Sequence, residues 1–302
     1  MFDKLAIPVI VAPMFLVSSV ELVEASCRSG VVGSIPLLNA RTTEQCEEWL
    51  QRLKEKLPNE AWAVQFVAHK TNKRHDTDLE LIRKYQPPIV ITSLGHPGAV
   101  VDIVHEYNGL VFSDVATLKH AKKAAEANVD GLILVCAGAG GHGGTLNPFA
   151  FLDAVREFWK GYTILAGGIS DGRDILAARI MGADFAYMGT KFIATEESTA
   201  FADYKQMLID STIEDILYTD SFSGVHANYL IPSLLQNNID PKRLKSRETV
   251  DLSHMVDAKA WRDIWSAGHG VSTIKTIETV ENIVATLVKE YEEAKREVIT
   301  HG

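Results

Sequence analysis

The chain has 302 residues, and 30 Lys and Arg against 39 Asp and Glu give it a formal net charge of −9 at pH 7. Hydrophobic residues make up 46% of the chain and charged residues 23%, a composition typical of a globular protein with a sizeable core. An acidic chain in which basic residues form no run longer than a pair argues against nucleic acid or an anionic membrane surface as the main partner. The composition therefore favours a small-molecule ligand.

The three cysteines, Cys27, Cys46 and Cys136, are widely spaced and form no CxxC pair. They are therefore expected to be reduced thiols in a cytoplasmic protein. No apolar run approaches the roughly 18 residues that a membrane span requires, and the N-terminus lacks the basic segment of a signal peptide. We also expect no metal site, because no histidine pair has the spacing of metal ligands.

Short runs rich in Val, Ile and Leu alternate with segments of helical periodicity, a pattern typical of parallel α/β structure. Eight such runs are predicted strands: 7–12, 31–34, 61–66, 89–92, 110–113, 131–136, 163–166 and 185–188. Eight strand-helix units in about 200 residues fit a TIM (β/α)8 barrel better than a doubly wound sheet. The fold class is therefore predicted to be α/β, a TIM barrel with a smaller C-terminal and mostly helical subdomain.

Three helices have clear start signals. Thr42 and Gln45 form a capping-box pattern, and an apolar stripe follows them at helical spacing: Cys46, Trp49, Leu50, Leu53 and Leu57. Asp114 is predicted to cap a second helix, and Ser170 or Asp171 a third.

The alternation of predicted strands and helices divides the chain into three predicted regions. The barrel spans residues 1–210. Residues 211–273 no longer show this alternation of strands and helices, and they contain Pro232 and Pro241. They are therefore predicted to form a lid or substrate subdomain beside the barrel mouth. Residues 274–302 carry one apolar helical stripe and are predicted to form a helix that packs on the barrel.

The glycine-rich loop after the sixth predicted strand is the first candidate for a functional site. It matches GxGxxG at Gly138, Gly140 and Gly143, but a dinucleotide-binding site needs a helix that opens on the glycines in a first βαβ unit. We therefore reject a Rossmann site. The loop also contains Gly141 and presents His142, a titratable group suited to proton transfer near neutral pH. A flexible loop with a solvated histidine is the alternative.

Two further glycine loops follow strands seven and eight. They contain Gly167 and Gly168 in the first loop and Gly189 and Thr190 in the second. Backbone N–H groups exposed at this end of a barrel commonly bind a phosphate, so we favour an anion site over ordinary turn glycines.

Other candidate residues lie at the C-terminal ends of strands one, three and four. They are Ala12, Pro13 and Met14 on strand one, Gln65 on strand three and Ser93 on strand four. Met14 suits a ligand-facing rim as well as core packing. Gln65 and Ser93 are suited to hydrogen bonding the edge of a heterocycle, although each by itself is equally typical of a loop.

Five short motifs occur in order along the chain. They are Ala-Pro-Met at 12–14, Gly-Gly-His-Gly at 140–143, Ala-Gly-Gly-Ile at 166–169, Met-Gly-Thr at 188–190 and Ile-Trp-Ser-Ala-Gly at 264–268. Taken together, these motifs resemble those of the nitronate monooxygenase (2-nitropropane dioxygenase-like) family. The resemblance covers nearly the whole chain, and it implies an FMN-binding TIM barrel with a smaller second domain.

The resemblance also implies roles for individual residues. The FMN phosphate is expected on the backbone amides of Gly167, Gly168, Gly189 and Thr190, and the isoalloxazine is expected among residues 12–14, Gln65 and the loop with Gly140 and Gly141. His142 matches the family's catalytic base or substrate-anchoring histidine. Some relatives have Gln-Gly-Gly-Met on strand one, and some have Lys after strand five, where this chain has Ser113 and Asp114.

Three functions remain open from the sequence. The resemblance implies an FMN-dependent oxidoreductase that oxidises alkyl nitronates with O2 to a carbonyl compound and nitrite. The first alternative is an NAD(P)H-dependent flavin reductase acting on quinones or enoyl thioesters. The second is a non-redox β/α-barrel lyase or isomerase that binds a sugar phosphate on the two glycine loops.

Overall fold

The structure is a computed structural model in which residues 1–69, 72–247 and 263–301 are described. Its strands are β1 Val9–Val11, β2 Gly33–Pro36, β3 Trp62–Val67, β4 Ile89–Ser93, β5 Leu110–Val115, β6 Gly131–Val135, β7 Gly141–His142, β8 Tyr162–Ala166, β9 Phe185–Met188, β10 Ile216–Thr219 and β11 Ala227–Leu230. Its α-helices are α1 Val20–Arg28, α2 Thr43–Lys56, α3 His75–Tyr85, α4 Gly98–Glu106, α5 Leu118–Glu126, α6 Pro148–Arg156, α7 Gly172–Met181, α8 Thr190–Ile193, α9 Ala202–Asp210, α10 Ile231–Gln236 and α11 Val280–His301.

Eight strands form one parallel sheet in the order β1-β9-β8-β6-β5-β4-β3-β2. The two edge strands meet, because the N–H of Val11 donates to the carbonyl of Val32 at 2.8 Å and the N–H of Val32 donates to the carbonyl of Val9 at 3.0 Å. The sheet therefore closes into a barrel with helices between its strands. This confirms the predicted TIM barrel, and all eight predicted strands are present. The second strand begins at Gly33, two residues later than predicted, because Val32 takes part in the closure instead.

Two sets of apolar side chains hold the barrel together. The interior of the barrel is filled by residues that include Ile10, Ile91, Phe112, Ile133 and Ile164, all fully buried. A larger cluster lies between the strands and the surrounding helices. Strands buried on both faces account for the continuous apolar runs in the sequence.

The helix signals are confirmed in two cases. The Thr42 hydroxyl accepts a hydrogen bond from the N–H of Gln45 at 3.2 Å at the start of α2, whose predicted stripe faces the core. Asp171, rather than Ser170, caps α7 by accepting from the N–H of Asp174 at 2.8 Å.

The predicted cap at Asp114 is wrong. Asp114 lies inside β5, and α5 is capped by Thr117, whose hydroxyl accepts from the N–H of His120 at 3.2 Å. The strand continues two residues beyond the predicted end because Val115 is buried and pairs with Leu134 of β6. Asp114 is thereby placed inside the barrel instead of at the start of a helix.

The predicted lid or substrate segment, 211–273, includes residues 248–262, which lie outside the described residues. Its described part contains α10 and short 3-10 helices together with two strands, β10 and β11. These strands form an antiparallel sheet with β7, in the order β10-β11-β7. The segment is therefore joined to the loop that carries His142.

The C-terminal helix α11 buries Val280, Ile283, Val284 and Leu287 in a cluster shared with Leu22 of α1, Ile175 of α7 and β1 residues. None of the helices within the described ranges is long and apolar enough to cross a membrane.

Candidate active site at the barrel mouth

A cavity of about 1010 Å³ opens at the C-terminal ends of the barrel strands. This end is where TIM-barrel enzymes carry their active sites, and the volume lies at the upper end of the roughly 300–1,000 Å³ typical of small-molecule sites. The structure places every candidate site residue from the sequence on its wall: Ala12, Pro13, Met14, Gln65, Ser93, Gly140, Gly141, His142, Gly167, Gly168, Gly189 and Thr190. The candidates therefore share one cavity, although they come from six separate stretches of the chain.

The floor of the cavity is one layer of side chains inside the barrel. Alternate residues of a strand face the same side, so residues two positions beyond the apolar interior layer also point inward. Four of these are polar, one each from β3, β4, β5 and β9: Gln65, Ser93, Asp114 and Tyr187. The Gln65 side-chain amide donates to the Ser93 hydroxyl at 2.6 Å, so the floor presents polar groups in defined positions.

Asp114 supplies a carboxyl group to this floor. Burial, with no compensating charge, raises the pKa of its carboxyl from 3.8 to about 7. Burial and the neighbouring Asp114 also raise the pKa of the Tyr187 hydroxyl. The Asp114 carboxyl is therefore largely protonated at slightly acid pH, and it then acts as a hydrogen-bond donor.

The loops after β8 and β9 form a cradle of backbone donors. The N–H groups of Gly168, Ile169 and Gly189 donate to no acceptor within the described chain. All three residues line the cavity. Unpaired N–H groups of this kind attract an anion without any basic side chain, so the cradle fits a phosphate.

Glycine is required in the first of these loops. Gly167 has φ +127°, and a Cβ there would lie 2.7 Å from the carbonyl oxygen of Ala137. Gly168 has φ +73°, and a Cβ there would point into open space. The Ser170 hydroxyl donates to the Gly168 carbonyl at 2.8 Å, which holds the loop in this conformation.

The segment after β1 forms another wall. The N–H of Ala12 donates to the carbonyl of Met188 at 2.9 Å, and the N–H of Met14 donates to the Ser18 hydroxyl at 2.9 Å. The Met14 side chain packs against two core clusters and also lines the cavity. Met14 therefore contributes both to core packing and to the cavity wall.

The His142 loop is not a flexible glycine loop. Gly141 and His142 form β7, which pairs with Asn228 and Ala227 of β11. The Asn228 side-chain amide also donates to the Ala139 carbonyl at 2.6 Å. No helix opens on these glycines, since α6 begins at Pro148, so the rejection of a Rossmann site is confirmed.

Enclosure by the cavity wall sets the protonation state of His142. Burial lowers the pKa of its imidazole from 6.5 to about 4. Its Nε2 lies 3.4 Å from the hydroxyl oxygen of Ser223. At neutral pH the ring is therefore uncharged, with one nitrogen as donor and the other as acceptor.

Sequence reasoning missed two groups of cavity residues. The first group is Asp114 and Tyr187, for which the position at the end of a barrel strand was the available signal. The second is the segment with Trp265, Ser266 and Gly268, where the N–H of Gly268 donates to the Thr190 hydroxyl at 2.9 Å. From the sequence, this segment was identified only as a family motif, because local patterns do not predict that it lies at the barrel mouth.

Comparison with known proteins identifies the family. A sequence profile described as nitronate monooxygenase matches residues 35–290. The chain belongs to the nitronate monooxygenase family. A probable nitronate monooxygenase from Staphylococcus haemolyticus is 27% identical over 263 residues, which is 78% of this chain and 72% of that protein. A nitronate monooxygenase from Paraburkholderia phytofirmans is 29% identical over 174 residues, 54% of this chain and 48% of that protein. Several curated relatives are thus matched over less than two thirds of their length, for example 58% for one from Staphylococcus aureus.

Solved structures share the fold of this nitronate monooxygenase family member. A nitroalkane oxidase from Streptomyces ansochromogenes superposes with a TM-score of 0.86 at 21% identity, with 98% of this chain and 99% of that chain covered. FabK from Thermotoga maritima gives a TM-score of 0.83 at 21% identity, with 100% and 97% covered. Membership of this family makes the chain an enzyme, a flavin-dependent oxidoreductase with a small-molecule substrate.

Proposed function

We propose that the protein is an FMN-dependent nitronate monooxygenase, which oxidises alkyl nitronates with O2 to a carbonyl compound and nitrite. The observation that carries the proposal is the cavity itself. It combines an anion cradle, a polar floor and a neutral histidine at the mouth of one barrel in a chain of this family.

The cradle supports FMN as the flavin. FMN ends in a phosphate, and the unpaired N–H groups of Gly168, Ile169 and Gly189 are donors suited to it. The Thr190 hydroxyl, fixed by the N–H of Gly268, lies beside these donors on the same wall. The residues present therefore fit the group.

The floor and the strand-one wall would hold the heterocycle. Gln65 and Ser93 are linked to each other and expose polar atoms to the cavity, and Ala12, Pro13 and Met14 supply a largely apolar wall beside them. When bound, FMN supplies the electron transfer from substrate to O2, and the protein supplies binding, orientation and proton handling.

His142 is the residue that we assign to the substrate. Because its imidazole is uncharged at neutral pH, its unprotonated ring nitrogen can accept the carbon proton of a neutral nitroalkane and so form the nitronate in the cavity. For a nitronate that binds as the anion, the ring N–H can instead donate to a nitronate oxygen. The pairing of β7 with β11 holds the ring at the cavity wall, which keeps this proton-handling group in position.

Anaerobic stopped-flow mixing tests the reaction. Bound flavin is mixed with an alkyl nitronate, with NADH or with NADPH, and the loss of visible absorbance is followed. Rapid bleaching by the nitronate alone is the expected result. Bleaching by a nicotinamide nucleotide, with no response to the nitronate, would contradict the proposal and identify a flavin reductase.

The absorption spectrum of the purified protein tests the cofactor. The protein is expected to show flavin bands, and acid-released cofactor is expected to co-elute with FMN in chromatography. A protein that stays colourless after incubation with FMN would contradict the proposal and favour the non-redox barrel enzyme.

A further inference from the structure

Three buried polar atoms on the cavity wall have no hydrogen-bond partner within the described residues. They are Oδ1 of Asp114, the hydroxyl of Tyr187 and Oγ of Ser266. Buried polar groups are almost always paired in folded proteins, and an unpaired group destabilises the chain that carries it. Such atoms concentrated on one cavity indicate partners supplied by a ligand.

Asp114 and Tyr187 belong to the same layer of the barrel interior. Phe112 and Phe185 lie two residues before them on β5 and β9, and both are buried in the interior cluster. Alternation along a strand therefore directs Asp114 and Tyr187 inward, one layer nearer the mouth. A ligand that lies flat on this floor meets both side chains.

The surroundings of Asp114 favour its neutral form. Of the two helices packed against β5, α5 brings His120 and Lys123 to the cavity, both exposed to solvent, and α4 brings no described charged side chain there. The neighbouring strands β4 and β6 contribute Ser93 and Val135 to the floor, neither of which titrates. The charge of Asp114 raises the pKa of the Tyr187 hydroxyl. The pKa of the Asp114 carboxyl itself is raised by burial.

We infer that the protonated carboxyl of Asp114 and the hydroxyl of Tyr187 are a pair of hydrogen-bond donors that bind an acceptor edge of the flavin heterocycle. The inference rests on the proposed flavin site and adds two binding residues to it. A neutral acid donates one O–H, and a phenol donates another, whereas an ionised carboxylate only accepts. Flavin binding therefore favours protonated Asp114.

A consequence is that flavin affinity falls as the pH rises. The carboxyl with a pKa of about 7 loses its proton above neutrality, and a ligand that requires the protonated form then binds up to about tenfold more weakly for each further pH unit. Asp114→Asn keeps a donor of the same size that does not titrate. Its flavin affinity is expected to be nearly independent of pH.

The experiment is a fluorescence-quenching titration of the apo-protein with riboflavin between about pH 6 and pH 8.5. Riboflavin is the probe because it lacks the phosphate, whose own ionisation would add a second pH dependence. The wild type is expected to lose affinity across this range, and Asp114→Asn is not. Asp102→Asn, an exposed carboxyl on α4, is the matched control and is expected to follow the wild type.

Tyr187→Phe gives a second test that does not depend on Asp114. It removes a single hydroxyl and is expected to weaken riboflavin binding by roughly threefold to tenfold at every pH. Tyr162→Phe is the control, because Tyr162 lies at the opposite end of the barrel, at the start of β8. Far-UV circular dichroism of each apo-protein checks that it is folded.

The outcomes separate this inference from the proposed function. Equal pH dependence in the wild type and Asp114→Asn, or unchanged affinity in Tyr187→Phe, overturns the inference while the flavin site stands. A wild type that binds neither FMN nor riboflavin overturns both. A flavin-loaded wild type that does not react with nitronates overturns only the proposed reaction.

Discussion

Two successive layers of side chains inside the barrel have opposite character, although the same strands supply them. The lower layer contains Phe112, Ile133 and Phe185, which are packed against one another and almost completely buried. The upper layer, two residues further along β5 and β9, contains Asp114 and Tyr187. Oδ1 of Asp114 and the hydroxyl of Tyr187 have no hydrogen-bond partner within the described chain.

The difference shows how stability and function divide along a strand. The lower layer removes apolar surface from water and stabilises the barrel. The upper layer keeps buried polar atoms unsatisfied, at a cost of about 1–3 kcal/mol for each such group. The pleat of the strands places the change from apolar to polar side chains at the barrel mouth. There a ligand can supply hydrogen-bond partners for the unpaired polar atoms.

Phe112→Ala should have the largest effect on stability. Phe112 is fully buried in the lower layer, and truncation of a buried phenylalanine typically lowers the free energy of unfolding by about 3–5 kcal/mol. Urea unfolding of the apo-protein measures the change. A loss below 1 kcal/mol would show that the lower layer is not the stabilising one.

His142→Asn should separate activity from stability most clearly. The variant keeps a polar side chain on β7 but removes the group that accepts a proton, so turnover of a neutral nitroalkane, which has to lose its carbon proton, is expected to fall by about 10²–10⁴-fold. Flavin content and the urea midpoint are expected to stay unchanged. Unaltered turnover would remove His142 from the mechanism.

Gly167→Ala tests the backbone of the anion cradle. A Cβ at Gly167 has to sit at φ +127° and 2.7 Å from a carbonyl oxygen, a strain of about 1–3 kcal/mol that distorts the loop. Lower stability and less bound FMN are expected. Gly189→Ala is the matched control for stability, because a Cβ there meets Ala12 at an ordinary 3.5 Å. Equal losses of stability in the two variants would contradict this account.

Tyr187→Phe should have the smallest effect on the stability of the apo-protein. The change leaves the ring and removes a hydroxyl without a partner, so the free energy of unfolding is expected to stay the same or to rise by about 1 kcal/mol. Urea unfolding without flavin provides the measurement. A marked loss of stability would assign Tyr187 to the stabilising layer and remove the contrast between the two layers.

Much of the fold follows from local sequence patterns. The eight apolar runs predict the eight barrel strands because strands buried on both faces need continuous apolar sequence. The Thr42 cap and its apolar stripe predict α2 for an equally local reason. The site glycines, the Gln65 and Ser93 pair and His142 could be selected because barrel enzymes place functional residues at strand ends.

The position of Asp114 inside the barrel could not be predicted from the sequence. An aspartate after a strand is a common helix cap, and the sequence offered no reason to prefer the barrel interior. Pairing of Val115 with Leu134 extends β5 through this position, and only the neighbouring strand supplies that constraint. The pairing of β5 with β6 therefore determines whether Asp114 caps a helix or faces the cavity.

The sequence by itself determined the order of the barrel strands along the chain, the helix starts at Thr42 and at Ser170 or Asp171, and part of the set of residues at the barrel mouth. Each of these depends on contacts close in sequence or on the known direction of barrel strands. The tertiary structure alone decided the ionisation of His142 and Asp114, since burial lowers the pKa of one and raises the pKa of the other. It alone also joined residues 227–228 to the His142 loop and residues 264–270 to the anion cradle. These contacts connect parts of the chain far apart in sequence, and no local pattern encodes which of them form.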